Sequence, residues 1–390
     1  MAAKKKTTHS TSLPSAPEQR AQVTKSVDED LRKKMEEANK KLEKIIDPKT
    51  LPVLDDDSAT GSQDLAIPLY STGILALDRA LSGGLPAGRI TELYGEEFTG
   101  KSLVSQLAVA EMQKNGGRCL LFDTESSYDP KRAVNLGIQT DRLMVSDCNV
   151  VEDMFKIIET YAESHIVNMV VIDSIANVTT LDVMGSEMGA PKYASVPGVL
   201  QRIIPRISKV LKRNNVSLIV INQVRDVIGG YVPMLRTPGG RNLKHIYHSR
   251  VKFLKANSSK LLKDGDTVKG VEIDAQITKH RGGANFTNAT FRIEYNKGLD
   301  RIYDVVNFLL STGHIVRAGA FYTYASQKYQ GLENLMDAFR NDSVAYDAAV
   351  KFARDVLSAE AKATTPVTDA QVPVSANVPD VSEASEEDKE

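Results

Sequence analysis

Cysteine is nearly absent, with Cys119 and Cys148 the two thiols among 390 residues. Two thiols rule out a disulfide-framed miniprotein and a four-cysteine zinc site, and they suit a reducing compartment. No apolar run approaches the ~18 to 20 residues that cross a bilayer, and the basic start Lys4, Lys5, Lys6 leads into Thr, Ser and Pro rather than a hydrophobic signal core. A soluble, cytoplasmic chain with no membrane partner is expected. An excess of either charge is also missing, since Lys+Arg 49 against Asp+Glu 50 gives a formal net charge of -1. The molecule as a whole is therefore not the strongly basic body of a passive nucleic-acid coat, although local patches remain open. What is present, 42% hydrophobic residues, 25% charged residues and 25 glycines, is enough for one large domain and one or two small ones.

Residues 1–25 and 361–390 are poor in packing residues and read as disordered. The first end is basic and the second acidic: VSEASEEDKE holds five acids against one lysine. Such an end solubilises the chain or competes with whatever anion the core binds. Between 26 and 63, SVDEDLRKKMEEANKKLEKIID opens with Ser26 and Glu29 in capping-box spacing and stops before Pro48. Its stripe of Val27, Leu31, Met35, Ala38, Leu42 and Ile45 packs on the chain's own core or, with 54–63 as a leash, serves oligomerisation on a neighbouring subunit. From 64 to 300 the β-rich runs RITELYG, CLLFD, NMVVID and VSLIVINQ alternate with helical patterns such as VEDMFKIIETYAESH and GVLQRIIPRISKVLKRN. That alternation is the look of an α/β core with a mostly parallel sheet. Residues 301–360 read as a second, smaller unit, helical around FYTYASQKY.

Gly95-Glu96-Glu97-Phe98-Thr99-Gly100-Lys101-Ser102 matches the G-x-x-x-x-G-K-[ST] loop, between the strand-like RITELY and the helix-like LVSQLAVAEMQK. In such a loop glycines turn backbone N–H groups onto phosphate oxygens, Lys101 reaches the terminal phosphates, and Ser102 offers an oxygen to Mg2+. Asp173 ends the strand-like NMVVID, where an acid holds the Mg2+ hydration shell; the alternative is an ordinary strand-end turn. Hydrolysis needs a polar group beside an attacking water, and Glu125 in LLFDTESSYDP lies beyond another strand's carboxyl end, with Asp123 as its competitor. Gln223, ending VSLIVINQ, is neutral with both donor and acceptor, suited to sensing a γ-phosphate or equally to capping a loop.

These residues stand in an ordered series with STGILALD at 71–78, GGLPAGRITELYG, FDTES followed by DP, VIDS, INQVRDVIGG and TPGGRNLK at 237–244. Over roughly 27–359 the series resembles the bacterial RecA family of homologous-recombination ATPases. GHIVRAGAFYTY also resembles that family's C-terminal domain. The resemblance implies a RecA-like P-loop ATPase core with a mostly parallel central sheet, an N-terminal helix and a small α+β C-terminal domain. It implies that Glu125 activates water, that Gln223 couples nucleotide state to the following DNA-binding loop, and that Asp129 and Arg132 join the phosphate loop in binding ATP. The loop would be Arg225 to Pro238, with Arg225, Ile228, Gly229 and Gly230 at family positions and Gly239 and Gly240 at its base. Lys279 and Arg281 in ITKHRGG match the pair that reaches the neighbouring subunit's ATP; without the resemblance they would read as solvated surface.

Several positions depart from the family. The first DNA loop, within 182–196, does not follow the bacterial pattern, and Gly198 and Pro205 fall where family arginines contact DNA. Arg202 and Arg206 are the nearby substitutes. Arg132 takes the place of an adenine-stacking tyrosine, where its planar guanidinium can stack instead, and His245 replaces an interface phenylalanine. The departures point to a divergent member and to a bacteriophage as its source. The expected activity is an ATP- and Mg2+-dependent recombinase. It would form a helical homo-oligomeric filament on single-stranded DNA, pair it with homologous double-stranded DNA and exchange strands, served by single-stranded-DNA-binding and mediator proteins. The alternatives are a ring-forming helicase or repair ATPase on the same core, and a non-enzymatic, nucleotide-switched DNA-coating filament.

Overall fold

The four apolar runs form strands β1 (Ile90–Gly95), β2 (Cys119–Asp123), β4 (Met169–Asp173) and β5 (Ser217–Gln223), joined by β3 (Leu143–Ser146) and β6 (Ser249–Phe253). They pair in parallel in the order β6-β1-β5-β4-β2-β3. Met169 and Val171 of β4 pack into one apolar cluster and Val170 and Ile172 into another. Both faces of the sheet are thus covered, which is why these runs show no polar alternation. The computed structural model describes residues 67–184, 195–226, 235–236, 240–254, 260–283, 285, 287–295 and 297–364. The expected helix after Ser26 with its linker, most of the first DNA loop, the residues Ile228, Gly229, Gly230 and Gly239, and nearly all of the acidic end lie outside those residues.

Beyond β6 the sheet turns antiparallel. The long β8 (Thr267–His280) pairs with β6 and carries β7 (Leu261–Asp264) and β9 (Asn288–Glu294), with β10 (Gly298–Leu299) at the edge, completing ten strands. Helices α1 (Leu75–Ala80), α2 (Lys101–Lys114), α3 (Pro130–Asn135), α4 (Val151–Glu163), α5 (Val196–Asn214) and α6 (Gly240–Ile246) connect and cover it. In α4 the buried Val151, Met154, Phe155, Ile158 and Ala162 recur at three- and four-residue steps, giving the stripe that packs α4 on α5. α5 starts at a Ser195 cap, whose hydroxyl oxygen accepts from Gly198 N, and stops at Asn215 in the left-handed region.

Residues after Asp300 build α7 (Arg301–Ser311), an antiparallel sheet of β11 (Val316–Ala318), β12 (Phe321–Tyr324) and β13 (Gln327–Gln330), α8 (Leu332–Asn341) and α9 (Ser343–Thr364). FYTYASQKY is thus a hairpin of two strands, and α9 continues past 360 to Thr364. The region has its own apolar cluster, with Val306, Phe308, Leu309 and Leu335 fully buried. Polar bonds tie it to the helices that cover the large sheet. Arg79 of α1 makes a two-pronged pair with Glu360 at 2.8 and 3.0 Å, and Arg354 of α9 reaches Glu111 of α2 at 3.1 Å.

The least exposed tie is a helix cap supplied from far away in the chain. Ile74 opens α1 without a side-chain oxygen to offer, and the Asp304 carboxylate of α7 accepts from Leu75 N at 2.8 Å and Ala76 N at 3.3 Å. It satisfies two donors that a helix start leaves open. Burial pushes the Asp304 carboxyl up to about 6 against the hydrogen bonds that favour its charge. Because the folded value lies above the ordinary one, the native state holds this proton more tightly than the unfolded chain. That contribution to stability is complete at acid pH and is lost as pH rises through about 6. Thermal unfolding of wild type against Asp304→Asn should therefore show a stability difference that shifts against wild type between pH 4 and about 7. A difference independent of pH over that window would contradict the assignment.

Candidate active site

The phosphate loop leaves the carboxyl end of β1 inside the parallel array and enters α2 at Lys101. Two glycines are required there. A Cβ on Gly95 would stand 2.5 Å from the Phe253 carbonyl oxygen, and Gly100, at φ +89°, has Ile273 Cδ1 2.6 Å from the place a Cβ would take. Thr99 Oγ1 donates to the Glu96 carbonyl at 2.8 Å, and Lys101 Nζ donates to the same carbonyl and to Thr99 Oγ1. Lys101 is buried, which lowers its ammonium below the ordinary range, while the carboxylates of Asp173, Glu125, Glu97 and Glu96 pull the other way. Glu97 is exposed, and Phe98 stands wholly in solvent with a left-handed backbone.

Three strand ends bring two acids and an amide to this loop. Asp173, last in β4, accepts from the Ser102 hydroxyl; burial, Glu125 and Asp123 together push its carboxyl up to about 6, opposed by Ser102 and Lys101. Beyond β2, Glu125 Oε1 accepts from Ser174 Oγ at 2.6 Å and from Gln223 Nε2 at 3.0 Å. Its competitor Asp123 is committed elsewhere, its two oxygens accepting from Ser127 N at 3.0 Å and Tyr128 N at 2.9 Å. Lys101, Ser102, Glu125, Asp173 and Gln223 thus meet across β1, β2, β4 and β5, at the carboxyl ends where open α/β sheets bind ligands. Ser174, which orients Glu125, escaped the sequence reading although it follows Asp173 directly. Thr124 fixes it in turn, donating to Ser174 O at 2.8 Å and accepting from Ser174 N at 2.9 Å.

The donor set fits ATP with Mg2+. Ser102 and Asp173 present a hydroxyl and a carboxylate to each other beside two further acids, hard oxygen ligands of the kind Mg2+ takes while keeping several waters. The ribbon from Gly95 to Gly100 tolerates no side chain at either glycine and carries a buried ammonium at its end. A cleft of about 480 Å³ opens beside α2 and α3, lined by Asp129, Arg132, Asn135, Tyr295 and Gly298 among others. Asp129 also caps α3, accepting from Lys131 N at 2.9 Å. Tyr295, half exposed across from α3, was not anticipated; it follows β9, and its sequence neighbourhood carries no binding signature.

The remaining candidates are spread over other surfaces. Lys279 lies at the end of β8 rather than in a loop, and Arg281 in the turn after it. Lys279 Nζ donates to the Lys244 and His245 carbonyls at 2.7 and 2.9 Å, and Arg281 Nη2 donates to His245 O, so both cations gather at the carboxyl end of α6. Among the described residues, neither cation hydrogen-bonds to Lys101 or Glu125. Arg202 and Arg206 point outward from α5, and Arg206 makes a two-pronged pair with Glu159 at 2.9 Å. Arg225 and Asp226 pair antiparallel with Arg236 and Leu235, a two-stranded ribbon where the sequence places the base of an expected DNA loop, and Gly240 begins α6.

A glycine-cradled loop after a central parallel strand, a buried lysine and carboxylates on the adjoining strand ends define the phosphate-loop nucleoside triphosphatases. Comparison with known proteins narrows the class. A family model for the RecA N-terminal domain matches residues 33–300. The RecA proteins of Mycoplasma mobile, Chlorobaculum tepidum and Thermus thermophilus are 33%, 32% and 32% identical to it over 301, 320 and 317 residues. The alignments cover 76%, 81% and 80% of this chain and 90%, 90% and 91% of those proteins. The chain belongs to the RecA family of homologous-recombination proteins. It is an ATP-dependent recombinase, a DNA-dependent ATPase using Mg2+, and its family works as a filament on single-stranded DNA that engages duplex DNA.

Proposed function

We propose that Glu125 is the water-activating carboxylate of this recombinase and that Gln223 reports the nucleotide's state to the DNA loop. The observation that carries this is the pair of bonds to one Glu125 oxygen, from Ser174 and from Gln223. Ser174 fixes the carboxylate next to Asp173. Gln223 links it to the ribbon that begins two residues later at Arg225 and supports the loop. Glu125 orients the attacking water and takes its proton, Lys101 draws negative charge from the terminal phosphates, and Ser102 and Asp173 hold Mg2+. Mg2+ held by Ser102 and Asp173 would supply positive charge to offset that of the phosphates. Asp129 and Arg132, which line the cleft beside α3, would join in binding ATP, with the planar Arg132 guanidinium stacked on the base.

DNA would be held by the loop from Arg225 to Pro238, with Ile228, Gly229, Gly230, Gly239 and Gly240 shaping it, and by Arg202 and Arg206 on α5. These contacts are mainly to backbone, so that fidelity comes from base pairing. The segment 26–63 serves oligomerisation, and single-stranded-DNA-binding and mediator proteins assist loading in the cytoplasm of a bacterial cell. Gln223→Ala tests the coupling. It should leave ATP binding intact and lower the stimulation of hydrolysis by single-stranded DNA at least about tenfold, since the loop and Glu125 lose their shared amide. Full stimulation in that variant would remove Gln223 from the role.

A further inference from the structure

β8 carries one residue more than its partner where it passes β6. Arg250 lies opposite Lys279 and Val251 opposite Ile277, so Thr278 is the extra residue of a β-bulge. A bulge bends the strand and re-aims the side chains beside it. Thr278 immediately precedes Lys279, and its hydroxyl is held on both sides. It donates to the Arg250 carbonyl at 3.2 Å and so receives the Tyr94 hydroxyl, 2.9 Å away.

Tyr94 sits on β1 directly before Gly95 of the phosphate loop. Its ring carries the Arg250 guanidinium at 4.5 Å, and that guanidinium is paired with Glu92, whose side chain is 1% exposed. The other Glu92 oxygen accepts from Asn222 Nδ2 at 2.9 Å, one residue before Gln223. Beyond Lys279, His280 Nδ1 lies 2.9 Å from Ser249 Oγ. The residues on both sides of Lys279 are therefore pinned to β1 and β6, while Lys279 and Arg281 reach the end of α6. A buried ion pair contributes little net stability compared with apolar packing, so stability alone does not account for this network beneath the site.

We propose that Thr278, through the bulge and its bond to Tyr94, is a positioning residue that aims Lys279 and Arg281 at the neighbouring subunit's nucleotide. This rests on the reading of those two cations as acting across the filament interface. The network ties their strand to the strand that ends in the phosphate loop, so the cations a subunit donates keep a fixed relation to its own nucleotide site.

The test uses mixed filaments on single-stranded DNA. Glu125→Gln subunits donate intact cations but do not turn over, and Lys279→Ala/Arg281→Ala subunits keep their own phosphate loop and carboxylate. The mixture should hydrolyse ATP faster than either population by itself. Thr278→Val added to the donor should lower the recovered rate at least about tenfold, because small misplacements of a catalytic group are costly. Thr278→Val added to the acceptor should leave it unchanged, since that subunit has no cations to aim. Thr278→Ser in the donor keeps the hydroxyl and should retain recovery, and Tyr94→Phe in the donor should act like Thr278→Val. Equal losses from donor and acceptor placement, or no loss from the donor, would overturn the proposal. No recovery in the parent mixture would overturn the trans reading itself, and the proposal with it.

Discussion

Lys101→Ala is expected to abolish ATP hydrolysis, whereas Glu125→Gln should retain ATP binding and filament assembly while DNA-stimulated turnover falls by roughly 10²- to 10⁴-fold. The two losses have different origins. Lys101 is a buried ammonium tied to the Glu96 carbonyl and Thr99, surrounded by the carboxylates of Asp173, Glu125, Glu97 and Glu96. Alanine there removes the cation that offsets phosphate charge and leaves the neighbouring acids unopposed, so nucleotide affinity and chemistry fall together. Glutamine at 125 can still accept from Ser174 and Gln223, which preserves the geometry, but it cannot take a proton from water. Nucleotide binding measured with a fluorescent ATP analogue, beside steady-state hydrolysis on single-stranded DNA, separates the cases. Normal turnover by Glu125→Gln would return the role to another group.

Lys279→Ala/Arg281→Ala should bind ATP through its own intact loop and yet hydrolyse it poorly on DNA. A cation supplied in trans is worth about 10³- to 10⁵-fold in phosphoryl transfer. Within the subunit, Lys279 Nζ ends on the Lys244 and His245 carbonyls and Arg281 Nη2 on the His245 carbonyl. Adding Lys101→Ala subunits, which cannot bind nucleotide productively but keep both cations, should restore part of the activity that neither population shows separately. Differently labelled subunits establish that the two co-assemble. Wild-type turnover by the double variant by itself would remove Lys279 and Arg281 from the interface role.

Much of this was legible in the sequence because the chemistry is contiguous. Eight residues in a row, Gly95 to Ser102, carry the phosphate loop, and the strand before it ends where an α/β sheet places its ligands. The runs CLLFD, NMVVID and VSLIVINQ lack polar alternation because both faces of the parallel sheet are buried. Spacing left Glu125 and Asp123 as rivals, since both lie at the carboxyl end of the same strand; only the fold reveals that Asp123 is committed to Ser127 and Tyr128. The antiparallel extension past β6 was not foreseen, because β8 and β9 are neighbours whose pairing leaves little trace in composition. Longer-range relations were out of reach. Asp304 caps a helix that begins 229 residues earlier. Glu92 in RITELYG announces, as a charge in a buried strand, that some partner exists, but Arg250 stands 158 residues away. A bulge such as that at Thr278 breaks the period of two by which strands are read, so its hydroxyl could not be assigned a face.

The most direct measurement is strand exchange between a circular single strand and a homologous linear duplex, with purified protein, ATP and Mg2+, and a heterologous duplex as control. Joint molecules and displaced strand should accumulate with the homologous duplex and not with the heterologous one. They should depend on ATP and disappear with Lys101→Ala. Filaments that coat the single strand and hydrolyse ATP yet yield no homology-dependent product would contradict a recombinase.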